Sequence, residues 1–234
     1  MAIETNNESG FTLIEIMVTI LISSIMMGAV FMSYSGQQKS YVINNRLTEV
    51  QQNLRAATII MAKDIREAGC DPTGRSGASI LIATPGRFQF TKDIAGDPIN
   101  PSEGDGDLDD SNEDISLGFS TANDSTTDGI ADAGAANLGR DVGGGFQPIA
   151  ENIQAIEFNY LLNDGNSTST PNSSQINDII AVQISILARA ASPDQDFSSP
   201  STYTTASGAV WGPYADSFRR RFVSTTIQCR NLNY

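Results

Sequence analysis

The N-terminal part of the 234-residue chain carries a long, almost uninterrupted run of apolar residues. Residues Phe11 to Phe31 include one charged side chain, Glu15. As an α-helix this run would be about 31 Å long, close to the roughly 30 Å hydrocarbon core of a bilayer. An acidic side chain inside a membrane helix costs on the order of 2.5–3.5 kcal/mol. The pattern therefore predicts a membrane-spanning helix over residues 11–31, in which Glu15 requires a partner or a position outside the lipid.

The apolar positions that follow have helical spacing, three or four residues apart. They are Leu47, Val50, Leu54, Ala57, Met61, Ile65 and Ala68. Charged residues lie between them, and the first proline of the chain is Pro72. This period predicts that the helix continues as an amphipathic half over residues 32–69, with Gly69 as its C-cap. Its apolar stripe could pack beneath a globular domain or form a coiled-coil seam.

After Cys70 the pattern changes to short segments in which apolar and polar residues alternate, as they do in strands. Six segments have this character: Ser79–Thr84, Arg87–Thr91, Ile115–Phe119, Ile153–Leu162, Asp178–Arg189 and Arg221–Cys229. Asn163–Gln175 and Ser192–Gly208 are polar and are predicted to be loops. Alternation indicates a sheet with one buried face, which the apolar stripe of the helix would cover. We predict an α+β fold, a long N-terminal helix packed on an antiparallel β-rich domain of residues 70–234.

Charge is distributed unevenly along the chain. It has 27 acidic and 14 basic residues, a net charge of −13, and no histidine. Twelve acidic residues lie in an acidic loop, residues 93–132, and no Lys or Arg occurs between Lys92 and Arg140. Such a section would repel phosphate, which argues against nucleic acid as a partner. Without histidine a His-based triad or zinc site is excluded, and nothing in the sequence indicates an enzyme.

The start of the apolar run has a more specific signature. Gly10 to Glu15 read G-F-T-L-I-E, which resembles the class III signal of type IV pilins and type II secretion pseudopilins. The resemblance implies that prepilin peptidase removes residues 1–10 as a leader by cutting after Gly10, and that the new N-terminal Phe11 is methylated. It also implies that Glu15 neutralises the N-terminal amine of a neighbouring subunit in a filament. That amine would be the partner that Glu15 requires.

Two simpler interpretations of this segment are an ordinary signal anchor with a chance glutamate and a cleaved secretory peptide. A secretory peptide has its cleavage site after a shorter apolar stretch, whereas Gly10 precedes this one. The leader also departs from the short, basic leaders of the family, because it contains Glu4 and Glu8 and no Lys or Arg. Orientation in the membrane then rests on the motif, and the departure suggests a misassigned start codon.

The rest of the chain resembles one branch of the same family, the PilW-like minor pilins. The segments that carry this resemblance are Arg46–Ala57, Lys63–Cys70, Glu151–Phe158 and Phe218–Leu232. The J-type pseudopilins of type II secretion share the helix pattern. The resemblance implies a structural minor pilin without catalytic residues, which helps to initiate or cap a type IV pilus together with other minor and major pilins and an inner-membrane assembly platform.

The same resemblance implies a location. The chain would be a single-pass inner-membrane protein with a periplasmic C-terminal domain before assembly, and part of an extracellular pilus afterwards. A minor pseudopilin of a type II secretion system is the nearest alternative. A tip subunit for adhesion or DNA uptake is another, for which surface aromatics around Trp211 and the basic cluster Arg219–Arg221 would be the evidence. Such a cluster is usually a solvated strand end, but it could also pair with an acidic neighbouring subunit or contact DNA.

The acidic loop could hold a metal ion, although no cofactor is required by the predicted function. Asp105, Asp107 and Asp109 alternate as in the first half of an EF-hand loop, and carboxylate oxygens at that spacing suit Ca²⁺. The remaining template positions fail, because Asp110 stands in place of glycine and Ser116 in place of glutamate. The sequence is consistent with a calcium loop of another kind, which could also use Asp114, or with a solvated acidic turn.

The chain has two cysteines, Cys70 and Cys229. In the oxidising compartment that the resemblance implies, two cysteines tend to form a disulfide. Such a bond would join the end of the helix to the last predicted strand. Two buried free thiols are the alternative.

Overall fold

The computed structural model describes residues 10–96, 99–100 and 103–232. One helix, α1, runs from Leu13 to Glu67. It ends as predicted, because Gly69 has a φ of 73°, which favours glycine, and its N–H donates to the Thr91 carbonyl. By their contacts the described residues divide into two compact units, one that ends at Asn45 and one that begins at Arg46. The second unit contains the C-terminal part of α1 and all the strands.

The strands and one short helix follow α1 in chain order. They are β1 (Ile80–Ala83), β2 (Arg87–Thr91), β3 (Asp114–Gly118), β4 (Ala136–Asp141), β5 (Gln147–Leu162), β6 (Ser167–Thr168), α2 (Ser173–Ile176), β7 (Ile179–Arg189), β8 (Tyr203–Thr204), β9 (Val210–Trp211) and β10 (Arg220–Gln228). Eight strands form one antiparallel sheet in the order β1-β2-β3-β4-β5-β7-β10, with β6 paired to β5. Strands β8 and β9 form a separate hairpin.

All six predicted strands are present, and the α+β prediction is confirmed. The largest difference is at β5, which begins at Gln147 instead of Ile153. Its pairing shifts in register between Ile153 and Ala155, next to Asn152, whose φ is +57°. This irregularity interrupts the alternation, so the first half of the strand was not recognisable. Strands β4, β6, β8 and β9 were not predicted because they are short or polar.

The predicted apolar stripe of α1 covers one face of the sheet. Its buried members pack in one cluster with apolar side chains of β2, β5, β7 and β10. Those from α1 are Val50, Leu54, Ala57, Met61 and Ile65. The stripe therefore contacts the chain's own sheet instead of forming a coiled-coil seam. Asp64 is buried beside it and binds the Arg140 guanidinium at 2.7 Å, which ties α1 to β4.

The end of α1 also meets the segment that follows β10. The Asn231 side chain donates to the Arg66 carbonyl at 3.1 Å. A β-carbon added to Gly69 would overlap the Leu232 side chain. The C-terminal turn of the helix and the residues after the last strand are therefore packed together.

The second face of the sheet is covered as well, which the sequence did not predict. The β8–β9 hairpin places Trp211 against Ala155 and Leu187, with Phe222 at its edge. The predicted loop Ser192–Gly208 contributes buried Ser199 and Thr205 to this layer. The central strand β5 is consequently buried on both sides, whereas one buried face was expected.

Candidate functional site

The N-terminal residues of the pilin-like motif lie at the start of α1. Phe11 is 86% exposed, and residues 1–9 of the predicted leader lie outside the described residues. The Thr12 backbone N–H and hydroxyl both donate to Oε2 of Glu15 at 2.8 Å. The Glu15 N–H points back to the Thr12 hydroxyl at 3.4 Å, so Thr12 and Glu15 form a reciprocal cap. This cap holds the carboxylate at the first turn of the helix, four residues from Phe11.

The helix surface around Glu15 is apolar and exposed. Large apolar side chains from Leu13 to Met32 have about half or more of their surface exposed. This part of α1 is long and apolar enough to cross a membrane, judged by length and composition. Burial of apolar surface drives association, so a helix of this kind requires a lipid or protein environment.

The structure does not gather the four predicted calcium ligands. Asp114 lies in β3, where both of its carboxylate oxygens accept from the Gln89 amide, at 2.8 and 3.0 Å. Asp105 accepts from the Asp107 N–H, and Asp107 accepts from the Asp109 N–H. These bonds are local turns of the loop. Among the described residues, no group of three or more acidic or cysteine side chains is already arranged around one point as metal ligands are.

Two other carboxylates of the acidic loop lie close to each other, and the sequence spacing did not indicate them. Asp93 and Glu113 are completely buried. Glu113 accepts from the N–H groups of Ile94, Ala95 and Asp110, at 3.0 to 3.2 Å, and so joins residues 94–95 to Asp110. The sequence contained one relevant signal, the glycines Gly96 and Gly104, which pair across the loop in an isolated bridge.

Electrostatic repulsion is evident within this cluster. Burial raises the pKa of Asp93, and the carboxylates of Glu113, Asp71 and Asp105 raise it further. Burial also raises the pKa of Asp110, as do Glu113 and Asp105. A shared hydrogen bond and the charge of Asp107 raise the pKa of Asp109. The loop thus brings together negative charges that oppose each other's ionisation.

The two cysteines lie on chain segments that meet. Cys70 follows α1 and is half-buried, whereas Cys229 follows β10 and is buried in the cluster under α1. The residue before Cys70 touches the segment after Cys229, through the Gly69–Leu232 contact. Both are free thiols in the structure, and burial raises the pKa of Cys229 to about 12. The disulfide stays a prediction.

The basic cluster is largely engaged within the domain. Arg219 binds Asp194 at 2.8 Å, and Arg220 binds Asp216 at 2.6 Å. The Arg220 guanidinium also lies over the Tyr214 ring, 4.2 Å from its centroid. Trp211, the expected surface aromatic, is buried. Of the three arginines, Arg221 is the exposed one.

Two family models match the chain. The prokaryotic N-terminal methylation motif matches residues 5–31, which include the Gly10–Glu15 segment. The model described as type IV pilus-assembly protein W, PilW, matches residues 124–231, which contain β4 to β10. No curated protein matches the chain.

A solved structure with a similar arrangement is a type IV-like pilin from Thermus thermophilus. It is 13% identical, with a TM-score of 0.46, and the alignment covers 79% of this chain and 97% of the other. The two family matches, at opposite ends of the chain, carry more specific information. They support a type IV pilin-like protein, PilW-like over residues 124–231, and this structural family is not known as enzymes.

Proposed function

We propose that the chain is a minor pilin that helps to initiate or cap a type IV pilus. The PilW match over residues 124–231 carries this proposal, because the matched family is described by a role in pilus assembly. The methylation motif at residues 5–31 supports processing by prepilin peptidase, which would remove residues 1–10 and leave Phe11 as a methylated N-terminus. Residues 11–31 would then be the membrane and filament-core segment, and residues 32–69 the amphipathic half of the helix.

The exposed apolar surface of α1 supports a helix that is buried first in a membrane and later in a filament. Before assembly the apolar surface would be buried in the inner membrane, with the C-terminal domain in the periplasm. In an extracellular pilus, the helices of other minor and major pilins would cover the same surface. An inner-membrane assembly platform would move the subunit from the first environment to the second.

Glu15 has a defined role in this scheme. Its carboxylate is held by Thr12 at the first helical turn, and the same oxygen could accept from the N-terminal amine of a neighbouring subunit. In an apolar filament core, an unpaired amine would lose several kcal/mol of hydration without compensation. Glu15 would therefore act in assembly, whereas Gly10 would act earlier, in cleavage.

A pair of substitutions separates these two steps. We expect Gly10→Val to retain the leader, detected as a larger mass of the purified chain. Glu15→Ala should be cleaved normally but be depleted from sheared pili, because the neighbouring amine lacks its counter-charge. Glu49→Ala, which removes an exposed acid from the same helix, is the matched control and should be incorporated normally. Normal incorporation of Glu15→Ala would contradict the assigned role.

Deletion of the gene distinguishes the proposal from its nearest alternative, a minor pseudopilin of type II secretion. A minor pilin that initiates assembly should be required for surface pili, counted by electron microscopy, while secreted enzymes still reach the medium. Loss of secretion with normal pili would favour the pseudopilin. The tip-subunit alternative receives less support, because Trp211 is buried and Arg219 and Arg220 are ion-paired within the domain.

A further inference from the structure

We propose that the acidic loop binds one Ca²⁺ ion through the carboxylates of Asp93, Asp105 and Asp110, with Glu113 as a positioning residue. This set differs from the one that sequence spacing suggested. It retains Asp105 and omits Asp107, Asp109 and Asp114. It adds Asp110 and the buried carboxylate of Asp93, which follows β2.

Asp93 is a buried carboxylate with one unsatisfied oxygen. Its side chain is completely buried, and Oδ2 accepts from the Gly106 N–H at 3.1 Å and the Thr73 hydroxyl at 3.4 Å. Oδ1 is buried without any hydrogen-bond partner. Burying a carboxylate oxygen without a partner is costly, and proteins usually avoid it by pairing the group or by coordinating a metal.

The unsatisfied oxygen points to the place where the loop crosses itself. Gly96 and Gly104 pair there, and a β-carbon added to Gly104 would overlap Oδ1 of Asp93. A β-carbon added to Gly96 would overlap Oδ2 of both Asp105 and Asp110, which lie within 2.5 Å of that one point. The absence of side chains at the two paired glycines therefore leaves room for Asp93 on one side of the crossing and for Asp105 and Asp110 on the other.

Another buried aspartate of the acidic loop shows what an internally satisfied site looks like. Asp124 is also buried, but its Oδ1 accepts from the Thr126 hydroxyl and the Asp128 N–H, and its Oδ2 accepts from the Gly129 N–H at 2.8 Å. The chain thus provides donors for both oxygens of Asp124. For Asp93, burial raises the pKa and the hydrogen bond from Gly106 lowers it. The groups with the next largest effect are other carboxylates, and they raise the pKa.

The chemistry of the cluster favours calcium over magnesium. Carboxylate oxygens suit both ions, but Ca²⁺ accepts irregular geometry with six to eight ligands, whereas Mg²⁺ requires a nearly regular octahedron and keeps several waters. The three carboxylates come from separate points of a loop whose backbone is irregular, with Gly96 and Gly106 at positive φ. Glu113 accepts from three backbone N–H groups and so holds residues 94–95 next to Asp110. It does not need to contact the ion. Binding would draw Asp105 and Asp110 in toward Asp93.

The test is thermal unfolding of the full chain in detergent, in calcium and in chelator at matched ionic strength. Extracellular calcium sites typically have Kd values of 10⁻⁴ to 10⁻³ M, so about 10 mM calcium should raise the melting temperature by about 3–10 °C. Asp93→Asn and Asp110→Asn should lose this shift. Asp107→Asn and Asp114→Asn are matched controls from the same loop and should keep it.

The behaviour in chelator separates a lost site from a damaged fold. Asp93→Asn removes a charge that other carboxylates repel, so in chelator this variant should melt no lower than wild type. Calorimetric titration with calcium should give one site in wild type and none in Asp93→Asn. The proposal is overturned if wild type melts alike in calcium and chelator, if Asp93→Asn and Asp110→Asn keep the shift, or if all four variants lose it equally.

Discussion

The two faces of the sheet are covered by layers of opposite character. On one face α1 packs Met61 and Ile65 into an apolar cluster with Phe88 and Phe158. On the other, the β8–β9 hairpin and its flanking segments combine aromatic contacts with a buried polar network. Glu157 is the centre of that network, where Oε2 accepts from the hydroxyls of Thr205 and Ser207 and Oε1 accepts from the Ser207 N–H.

Adjacent residues of β5 show the difference most clearly, because Phe158 faces α1 and Glu157 faces the hairpin. Apolar packing is not directional and is roughly proportional to buried area, so it supplies stability. Hydrogen bonds to a buried carboxylate are directional, and each one lost leaves a costly unsatisfied group. We infer that the α1 face supplies most of the stability, whereas the polar network fixes where the second layer sits.

The largest effect should come from removing an aromatic side chain of the α1 face. Phe158→Ala should reduce the free energy of unfolding by about 3–5 kcal/mol, because it leaves a cavity in a fully buried cluster. Denaturant unfolding of the full chain in detergent measures it. Ile59→Ala, at a position of α1 that is 58% exposed, is the control and should change little. Equal effects of the two substitutions would show that α1 does not stabilise the sheet in this way.

The next effect concerns the Cys70–Cys229 disulfide, which would secure the α1 face. If it forms, the full chain purified in detergent without reductant should have no free thiol after denaturation. Its reduction should lower stability by about 2–4 kcal/mol. Alkylation followed by mass spectrometry counts the thiols, and Cys70→Ser with Cys229→Ser is the control that should be insensitive to reductant. Two alkylated thiols without prior reduction would exclude the bond.

A smaller effect is expected on the second face. Glu157→Gln keeps the size of the side chain but presents an amide N–H₂ to groups that donate to the carboxylate, which should cost about 1–3 kcal/mol. Because the network positions the hairpin, limited proteolysis between residues 199 and 211 should become faster. Glu151→Gln, at an exposed position of the same strand, is the control. Unchanged proteolysis in Glu157→Gln would mean that aromatic contacts alone hold the hairpin.

The smallest effect should depend on pH. A hydrogen bond from Arg220 lowers the pKa of Asp216. A group with a lowered folded-state pKa stabilises the fold above its unfolded value, about 3.9, and loses this contribution as the pH falls through the folded value. Asp216 is partly exposed, so Asp216→Asn should cost only about 0.5–1 kcal/mol at pH 7. The difference from wild type should shrink below pH 4, and a difference that grows in acid would contradict it.

The sequence predicted the α1 face well because that face is built from periodic apolar residues. Two such patterns are the stripe from Val50 to Ala68 and the alternation at Ile180–Ile186. Each pattern arises within one element that packs one face against one surface. The bounds of β2 were predicted to the residue, and those of β7 and β10 to within one. The sequence predicted the second layer only as a polar loop. The contacts that hold this layer join residues that are distant in the sequence. Glu157 and Ser207 are 50 positions apart, and no local pattern connects them.

The candidate sites divide in the same way. The Gly10–Glu15 motif is contiguous, so its presence could be recognised directly. The acidic cluster could not, because Asp93 lies against Gly104, and Asp105 and Asp110 against Gly96, only when these two glycines pair across the loop. The alternating aspartates suggested an EF-hand-like set, whereas folding turns Asp114 toward Gln89 and brings Asp93 into the loop instead.

The contact between the end of α1 and the segment after β10 has a consequence for biosynthesis. The helix is made first, but the Asn231 side chain that binds the Arg66 carbonyl is made 165 residues later. Contacts this distant in sequence are slow to form, because a long stretch of chain must be closed before they contribute. The apolar stripe of α1 therefore stays partly uncovered until the last strand has been synthesised. During that interval the exposed stripe is prone to aggregation, as is apolar surface of folding intermediates in general.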